Sequence, residues 1–221
     1  MHIPDGILDA KTAVATGALA VAGVGTALWQ AKRTLPARRV PLLGVTAAFI
    51  FAAQMLNFPI AGGTSGHFLG ALLAAVLLGP LNACLILTVV LFIQCLGFAD
   101  GGLTALGSNV FNMGIIGGLV AYYVFRALQF LLPKSRGGFL AAVALSAWLS
   151  VVLAAVSCAC ELSFSGTLPL RVALPTMGGV YALIGVGEAL VTTVIISTVL
   201  GLRPDLVGAW KPVGTTQAQG V

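Results

Sequence analysis

The sequence predicts an all-α membrane protein of seven transmembrane helices, with the N-terminus outside and the C-terminus cytoplasmic. Three observations carry that prediction. Of 221 residues, 59% are hydrophobic and only 8% are charged, whereas a soluble domain carries about 25% charge. Several apolar runs reach the roughly 20 residues that a helix needs to cross the hydrocarbon core. The basic residues gather in alternate connections, as the positive-inside rule requires.

In order, the spans cover residues 11–30, 41–56, 67–78, 80–96, 106–131, 139–160 and 177–202. The leader "MHIPDGILDAK" sets Asp5 and Asp9 against Lys11, and "AKRTLPARR" follows the first run. A signal peptide places its positive charge before the apolar stretch, so this run reads as a retained helix with Met1 intact. The stretch "HFLGALLAAVLLGPLNACLILTVVLFIQCLG" would make one helix or two. Gly79–Pro80 breaks it, because proline lacks a donor and clashes with the preceding turn.

The basic residues arbitrate. Seven spans leave Lys32, Arg33, Arg38, Arg39, Arg126, Lys134, Arg136, Arg203 and Lys211 inside, and only Lys11 and Arg171 outside. Six spans would scatter them almost evenly, so the rule selects seven. It also accounts for the net charge of +5 without a nucleic-acid partner. The segment 67–78 reaches only about 18 Å as a helix. Short or irregular backbone at membrane depth is tolerated where protein buries it. "NFPIAGGTSG" is therefore expected to dip inward, with His67 near the start of a short helix. The chain divides into a leader (1–10), a helical domain (11–203) and a cytoplasmic tail (204–221).

This topology brings the leader, the loop before His67, the "GFADGGLTALGSN" loop and the loop over 161–176 to one side. The chain's two histidines, His2 and His67, therefore share a face. A histidine at position two offers an unusual chelate. The Met1 α-amine, the His2 backbone nitrogen and the His2 imidazole would close adjacent five- and six-membered rings on one metal, with His67 completing a four-nitrogen set. Four nitrogens in a plane suit Ni(II) or Cu(II), and imidazole-rich sites also take Co(II). The amine and imidazole lose their protons to a metal readily near neutral pH. Pro4 holds Ile3 extended and Asp5–Gly6 signals a turn, which folds the leader back over the bundle. The alternative is plain: His2 follows the initiator by chance, and His67 caps a helix or bonds a carbonyl.

Other features carry weaker signals. Cys84 and Cys95 read as packing residues, and Cys158 and Cys160 are too close in sequence for an ordinary disulfide. A thiolate site on "CAC" and Glu161 is the lesser reading, since buried cysteine is usually inert. Small pairs at helix-packing spacing, Ala48 with Ala52, Gly114 with Gly118 and Gly185 with Ala189, serve packing within the chain or against another subunit. Glu188 lies mid-span, where a carboxylate is costly and marks function by default. It is a hydrogen-bonded structural group, a gating contact or a proton relay.

"MHIPDG", "NFPIAGGTSGHFLGALLAAVLLGP", "LFIQCLGFADGGLTALGSNVFNMGIIG" and "GEAL" together resemble the CbiM/NikM family. These are substrate-binding membrane subunits of cobalt and nickel energy-coupling-factor transporters, and the likeness covers about residues 1–203. The tail "KPVGTTQAQGV" carries no recognised motif. The resemblance implies a six-helix core plus one added N-terminal helix. It implies a divalent metal, Co2+ or Ni2+ as transported substrate, held by Met1, His2 and His67. It implies a transmembrane coupling subunit, two ATP-binding subunits and a small accessory membrane subunit as partners in the lipid bilayer. Ala48 and Ala52 resemble the alanine motif that meets the coupling subunit. Metal-bound imidazoles need partners on their second nitrogen, and Asn57, Ser65, Asp100 and Asn109 lie on the right face. Asp100 would alternatively be a turn residue in "ADGG".

No G-x-x-x-x-G-K-[ST] loop occurs, so the chain itself is not expected to bind ATP or to act as an enzyme. Rival readings are a gradient-driven permease with Glu188 as relay, and an intramembrane enzyme, for which no nucleophile–base pattern is present. Ligation does not settle the metal. Overall resemblance favours cobalt, for cobalamin synthesis, and square-planar nitrogens favour nickel.

Overall fold

A computed structural model describes residues 1–60 and 63–210. Among these residues seven helices follow one another where the apolar runs place them. They are α1 (Ala10–Thr34), α2 (Val40–Gln54), α3 (Ala71–Leu78), α4 (Pro80–Phe98), α5 (Leu106–Leu131), α6 (Arg136–Phe164) and α7 (Leu170–Leu202). Five of them, α1 and α4 to α7, are long and apolar enough to cross a membrane. At 15 and 8 residues, α2 and α3 reach only about 22 Å and 12 Å.

Local chemistry sets the boundaries. Asp9 caps α1 by accepting from the Thr12 amide at 3.1 Å, and Lys32 and Arg33 sit in the last turn, where they complement the helix dipole. Gly79, at φ +91°, stops α3, and Pro80 opens α4 at a position that needs no N–H donor. The expected break at Gly79–Pro80 is therefore present. Ser135 caps α6 through the Gly138 amide at 3.1 Å. In the middle of α5, Phe111–Val120 widens to π-helical turns, and the Ser150 hydroxyl donates to the Gly117 carbonyl there at 2.6 Å.

Two expected boundaries are corrected. The third helix starts at Ala71, not at His67. Residues 58–59 and 65–66 instead pair as a short antiparallel ladder, with Phe58 opposite Gly66. Gly70 at φ +72° then turns the chain into α3. The last helix starts at Leu170, ahead of the expected 177, and carries Pro175 inside it. Neighbouring protein groups allow a membrane helix to run through a proline. The expected 161–176 loop shrinks to residues 165–169.

Every residue of α3 is buried, at 0–6% exposure. This short helix packs against α4, α5, α6 and α7. Its lower end needs help, because Pro80 cannot donate to the Val76 carbonyl. The tail supplies the missing donors: Ala209 N–H reaches Val76 O at 3.0 Å and Gly208 N–H reaches Leu77 O at 2.9 Å. Trp210 then packs edge-on against Phe139, with ring centroids 4.8 Å apart. The rest of the predicted tail, 211–221, lies outside the described residues, as does Lys211.

The small pairs divide by environment. Gly114, Gly118 and Gly185 are buried, Gly185 directly against the Trp148 indole, and they pack the chain on itself. Ala48 and Ala52 are exposed on α2. At the opposite end from the tail, the leader, residues 55–60 and 63–70, the 99–105 loop and the 165–169 turn come together. Gly102 N–H donates to Ile3 O at 2.9 Å, and Thr104 N–H donates to Asp5 Oδ1 at 2.7 Å. Thr167 Oγ1 donates to Ile7 O at 2.5 Å.

Candidate metal centre

The leader enters the bundle as irregular backbone, so every amide and carbonyl needs a partner from elsewhere. Asn109 on α5 supplies two: its Oδ1 accepts from Ile3 N–H at 2.8 Å and its Nδ2 donates to Ile3 O at 3.1 Å. Gly101, at φ +91°, lets the 99–105 loop lie against His2, whose Cβ sits 3.5 Å from where a side chain would begin. The result is a terminus sunk into the protein. Met1 and Ile3 are 0% exposed and His2 only 3%.

Three nitrogens of the leader face one point. The Met1 amine lies 3.2 Å, the His2 amide nitrogen 3.4 Å and His2 Nδ1 3.3 Å from a single atom, Ser65 Oγ. The two imidazoles stack beside it, with centroids 4.5 Å apart at 29°. His2 and His67 thus meet.

The hydrogen bonds fix which ring nitrogens are bare. His67 Nδ1 donates to the Phe68 carbonyl at 2.7 Å. Its Nε2 therefore carries the lone pair, buried and without a partner. His2 Nε2 donates to Gln94 Oε1 at 3.0 Å, which leaves the lone pair on Nδ1. That atom also faces Asp100 Oδ1 at 3.3 Å, and Asn57 Nδ2 donates to the other oxygen of Asp100 at 3.0 Å. Burial lowers the Met1 amine from 8.0 to about 4, with Cys158 and Asp100 pulling back. Burial, then the neighbouring amine, lowers His2 to about 3. Amine and imidazole are both uncharged at neutral pH.

All four of the sequence's candidate supporting residues reach this cluster. Ser65 touches the leader directly, Asp100 touches His2, Asn57 holds Asp100, and Asn109 clamps Ile3. Asp100 lies just past the end of α4, where its N–H donates to the Gln94 carbonyl at 3.1 Å. Sequence reasoning missed Gln94 and Tyr181, whose hydroxyl donates to the Ser65 carbonyl at 2.5 Å. A lone amide inside "LFIQCLG" marks Gln94 by the reasoning applied to Glu188. No comparable signal marks Tyr181.

Glu188 is hydrogen-bonded to the backbone ahead of α3. Its carboxylate accepts from the Leu69 and Gly70 amides at 2.7 and 2.8 Å, and Gln54 donates to the Leu69 carbonyl at 2.8 Å. Gly70 has no side chain with which to cap α3, so α7 caps it from outside and fixes the backbone beside His67. Cys158 is a buried free thiol and Cys160 a partly buried one.

A helical bundle with a buried terminus, two imidazoles and a surplus of nitrogen lone pairs is the architecture of a membrane metal-transport protein. The family model "Cobalt uptake substrate-specific transmembrane region", CbiM, matches residues 2–206, and the chain belongs to that family. It is 44% identical over 209 residues to a putative fused nickel transport protein NikMN of Archaeoglobus fulgidus. That match covers 94% of this chain and 68% of the relative. It is 34% identical over 227 residues to the cobalt transport protein CbiM 1 of Pelobacter propionicus, with 98% of each covered. Among solved structures, that of a truncated transition metal transporter superposes with a TM-score of 0.84 at 34% identity. The superposition covers 91% of this chain and 99% of the other.

Proposed function

We propose that the chain is the substrate-specificity subunit of an ATP-driven energy-coupling-factor importer. It captures cobalt or nickel outside and delivers it to the cytoplasm with partner subunits. One observation carries the ligand set: the Met1 amine, the His2 amide nitrogen and His2 Nδ1 gather around Ser65 Oγ, while His67 Nε2 has no partner. A divalent ion held among these nitrogens would close five- and six-membered rings on the leader and take His67 as its fourth ligand. The His2 amide nitrogen carries a proton that only a bound metal would displace.

Seven spans with the N-terminus outside put the metal centre at the outer face and the basic connections inside. The exposed Ala48 and Ala52 on α2 are where the coupling subunit docks. ATP hydrolysis belongs to two partner subunits, and a small accessory subunit completes the complex. The chain catalyses no reaction alone. Overall resemblance favours cobalt, for cobalamin synthesis. A nickel carrier is the second reading, favoured by the planar nitrogen set and by the name of the 44% identical relative.

Titrating the purified protein with Co(II) and Ni(II) decides the metal. Cellular uptake is expected to cease when the partner ATPase is inactivated and to ignore a proton uncoupler. Uptake with the opposite sensitivities would make the chain a gradient-driven permease.

A further inference from the structure

Two helices hold the backbone beside His67, α7 by its N–H groups and α2 by a carbonyl. His67 Nδ1 donates to the Phe68 carbonyl at 2.7 Å, and the N–H of that same peptide unit, on Leu69, donates to Glu188 of α7. In the next unit the Gly70 N–H reaches the other Glu188 oxygen. The Leu69 carbonyl accepts instead from Gln54 Nε2, on α2, at 2.8 Å. Two more side chains of α2 reach the same stretch. Phe49 meets the Phe68 ring edge-on, with centroids 6.1 Å apart. Ile50 packs against Gly70, where a Cβ would stand 2.7 Å from Ile50 Cγ1.

Gln54 is 0% exposed, and its Oε1 has no partner. A buried amide with a bare oxygen costs stability, so stability alone does not account for it. The opposite face of α2 is open. Ile50 and Gln54 are buried, while Ala48 and Ala52, two positions or about 200° round the helix, are exposed. Whatever shifts the outer face of α2 also shifts Gln54. Helices at subunit interfaces move by about 1–2 Å, enough to carry a bond of 2.8 Å beyond hydrogen-bonding range.

We propose that Gln54 is a positioning residue for the metal and the link between docking and release. With Glu188 it fixes the two peptide units after His67, and so the Phe68 carbonyl that leaves His67 Nε2 bare. A partner seated on Ala48 and Ala52 draws α2 aside, breaks the bond to Leu69 and frees the His67 ring to leave the metal. This role rests on the ligand set and docking face proposed above.

Two measurements test it, and the first needs neither metal nor partner. The chain has two histidines, so 15N-histidine labelling of the metal-free full chain reads the His67 tautomer by NMR. Wild type is expected to show the Nδ1–H form at His67. Gln54→Leu is expected to show both forms there with His2 unaltered, which general destabilisation would not produce. Phe49→Ala, at a position 40% exposed and therefore mild for folding, should act in the same direction to a smaller extent. The second measurement follows Ni(II) release to a chelator, from the free chain and from the chain assembled with its coupling and ATP-binding subunits. Free Gln54→Leu should release Ni(II) about 10–100-fold faster than wild type. Assembly should speed release from wild type and from Asn109→Ala by factors within about twofold of each other, since Asn109 acts on the leader. It should scarcely change Gln54→Leu, which is already loose. An unaltered His67 tautomer in both variants would overturn the proposal, as would assembly that speeds Gln54→Leu as much as wild type. A tautomer change in Gln54→Leu, alongside Ni(II) affinity indifferent to His67→Ala, would instead count against the ligand set and leave the Gln54 link standing.

Discussion

The leader and the helix it opens into are neighbours with opposite characters. The leader is irregular, yet Met1, His2 and Ile3 are almost wholly enclosed. Helix α1 is regular and apolar, yet only Thr16, Ala20 and Ala27 along its 25 residues are buried. A helix satisfies its own backbone and is free to face lipid. Irregular chain must borrow partners from protein, and here its backbone takes them from Ser65, Asn109, Gly102 and Thr167. Between these two segments, burial follows the need of the backbone for partners and not the apolarity of the side chains.

The leader's placement is thus open to direct attack. Adding one residue before Met1 displaces the amine while leaving both histidines in place. Metal affinity by calorimetry should fall by more than the roughly 100-fold that loss of an outer partner costs. Retained affinity would remove the amine from the ligand set. Next comes His67→Ala, which leaves the leader seated but removes one nitrogen. It should also bind metal far more weakly, with its helicity by circular dichroism unchanged.

Asn109→Ala separates seating from ligation. It strands the Ile3 N–H and C=O in a buried site, at about 1–3 kcal/mol for each group. The thermal midpoint should drop, and affinity should fall about 10–100-fold although no ligand is touched. An unaltered midpoint would mean that the leader is held by something else.

A smaller effect is expected from pH. The unfolded chain takes up a proton on the Met1 amine as pH falls through 8.0, and the seated amine does so only near 4. Folding releases that proton, so the stabilisation is complete above pH 8 and declines as pH falls from 8 toward 4. His2, moved from 6.5 to about 3, acts in the same direction over its own window. Melting of the metal-free protein should therefore shift downward between pH 8 and 5, and shift less in the extended variant. A flat profile in the wild type would contradict the burial of an uncharged amine. The smallest effect belongs to Cys158→Ser, which removes a buried thiol near the amine and should leave metal affinity within about twofold, since buried cysteine is inert.

The order and placement of the helices were legible from hydrophobic runs, Gly79–Pro80 and the basic connections, because each signal is local. Parity of the crossings put His2 and His67 on one face, but only packing brought the two rings together. The start of α3 was less legible, since the Phe58–Gly66 ladder and the turn at Gly70 depend on pairings that no periodicity announces. Helix α7 began earlier than expected because it runs through Pro175, about one turn and a half from its start.

By itself, then, the sequence determined a bundle of apolar helices with a histidine-bearing terminus at one end. The lipid environment forces that outcome on any chain of this composition. Tertiary structure alone decided which nitrogens stay bare. Gln94 accepts a hydrogen bond from one His2 nitrogen, Phe68 accepts one from a His67 nitrogen, and Glu188 on a distant helix holds the backbone between them and α3. The Gln94 and Glu188 contacts join residues 92 and 119 positions apart. They are properties of the packed molecule, and no local pattern encodes them.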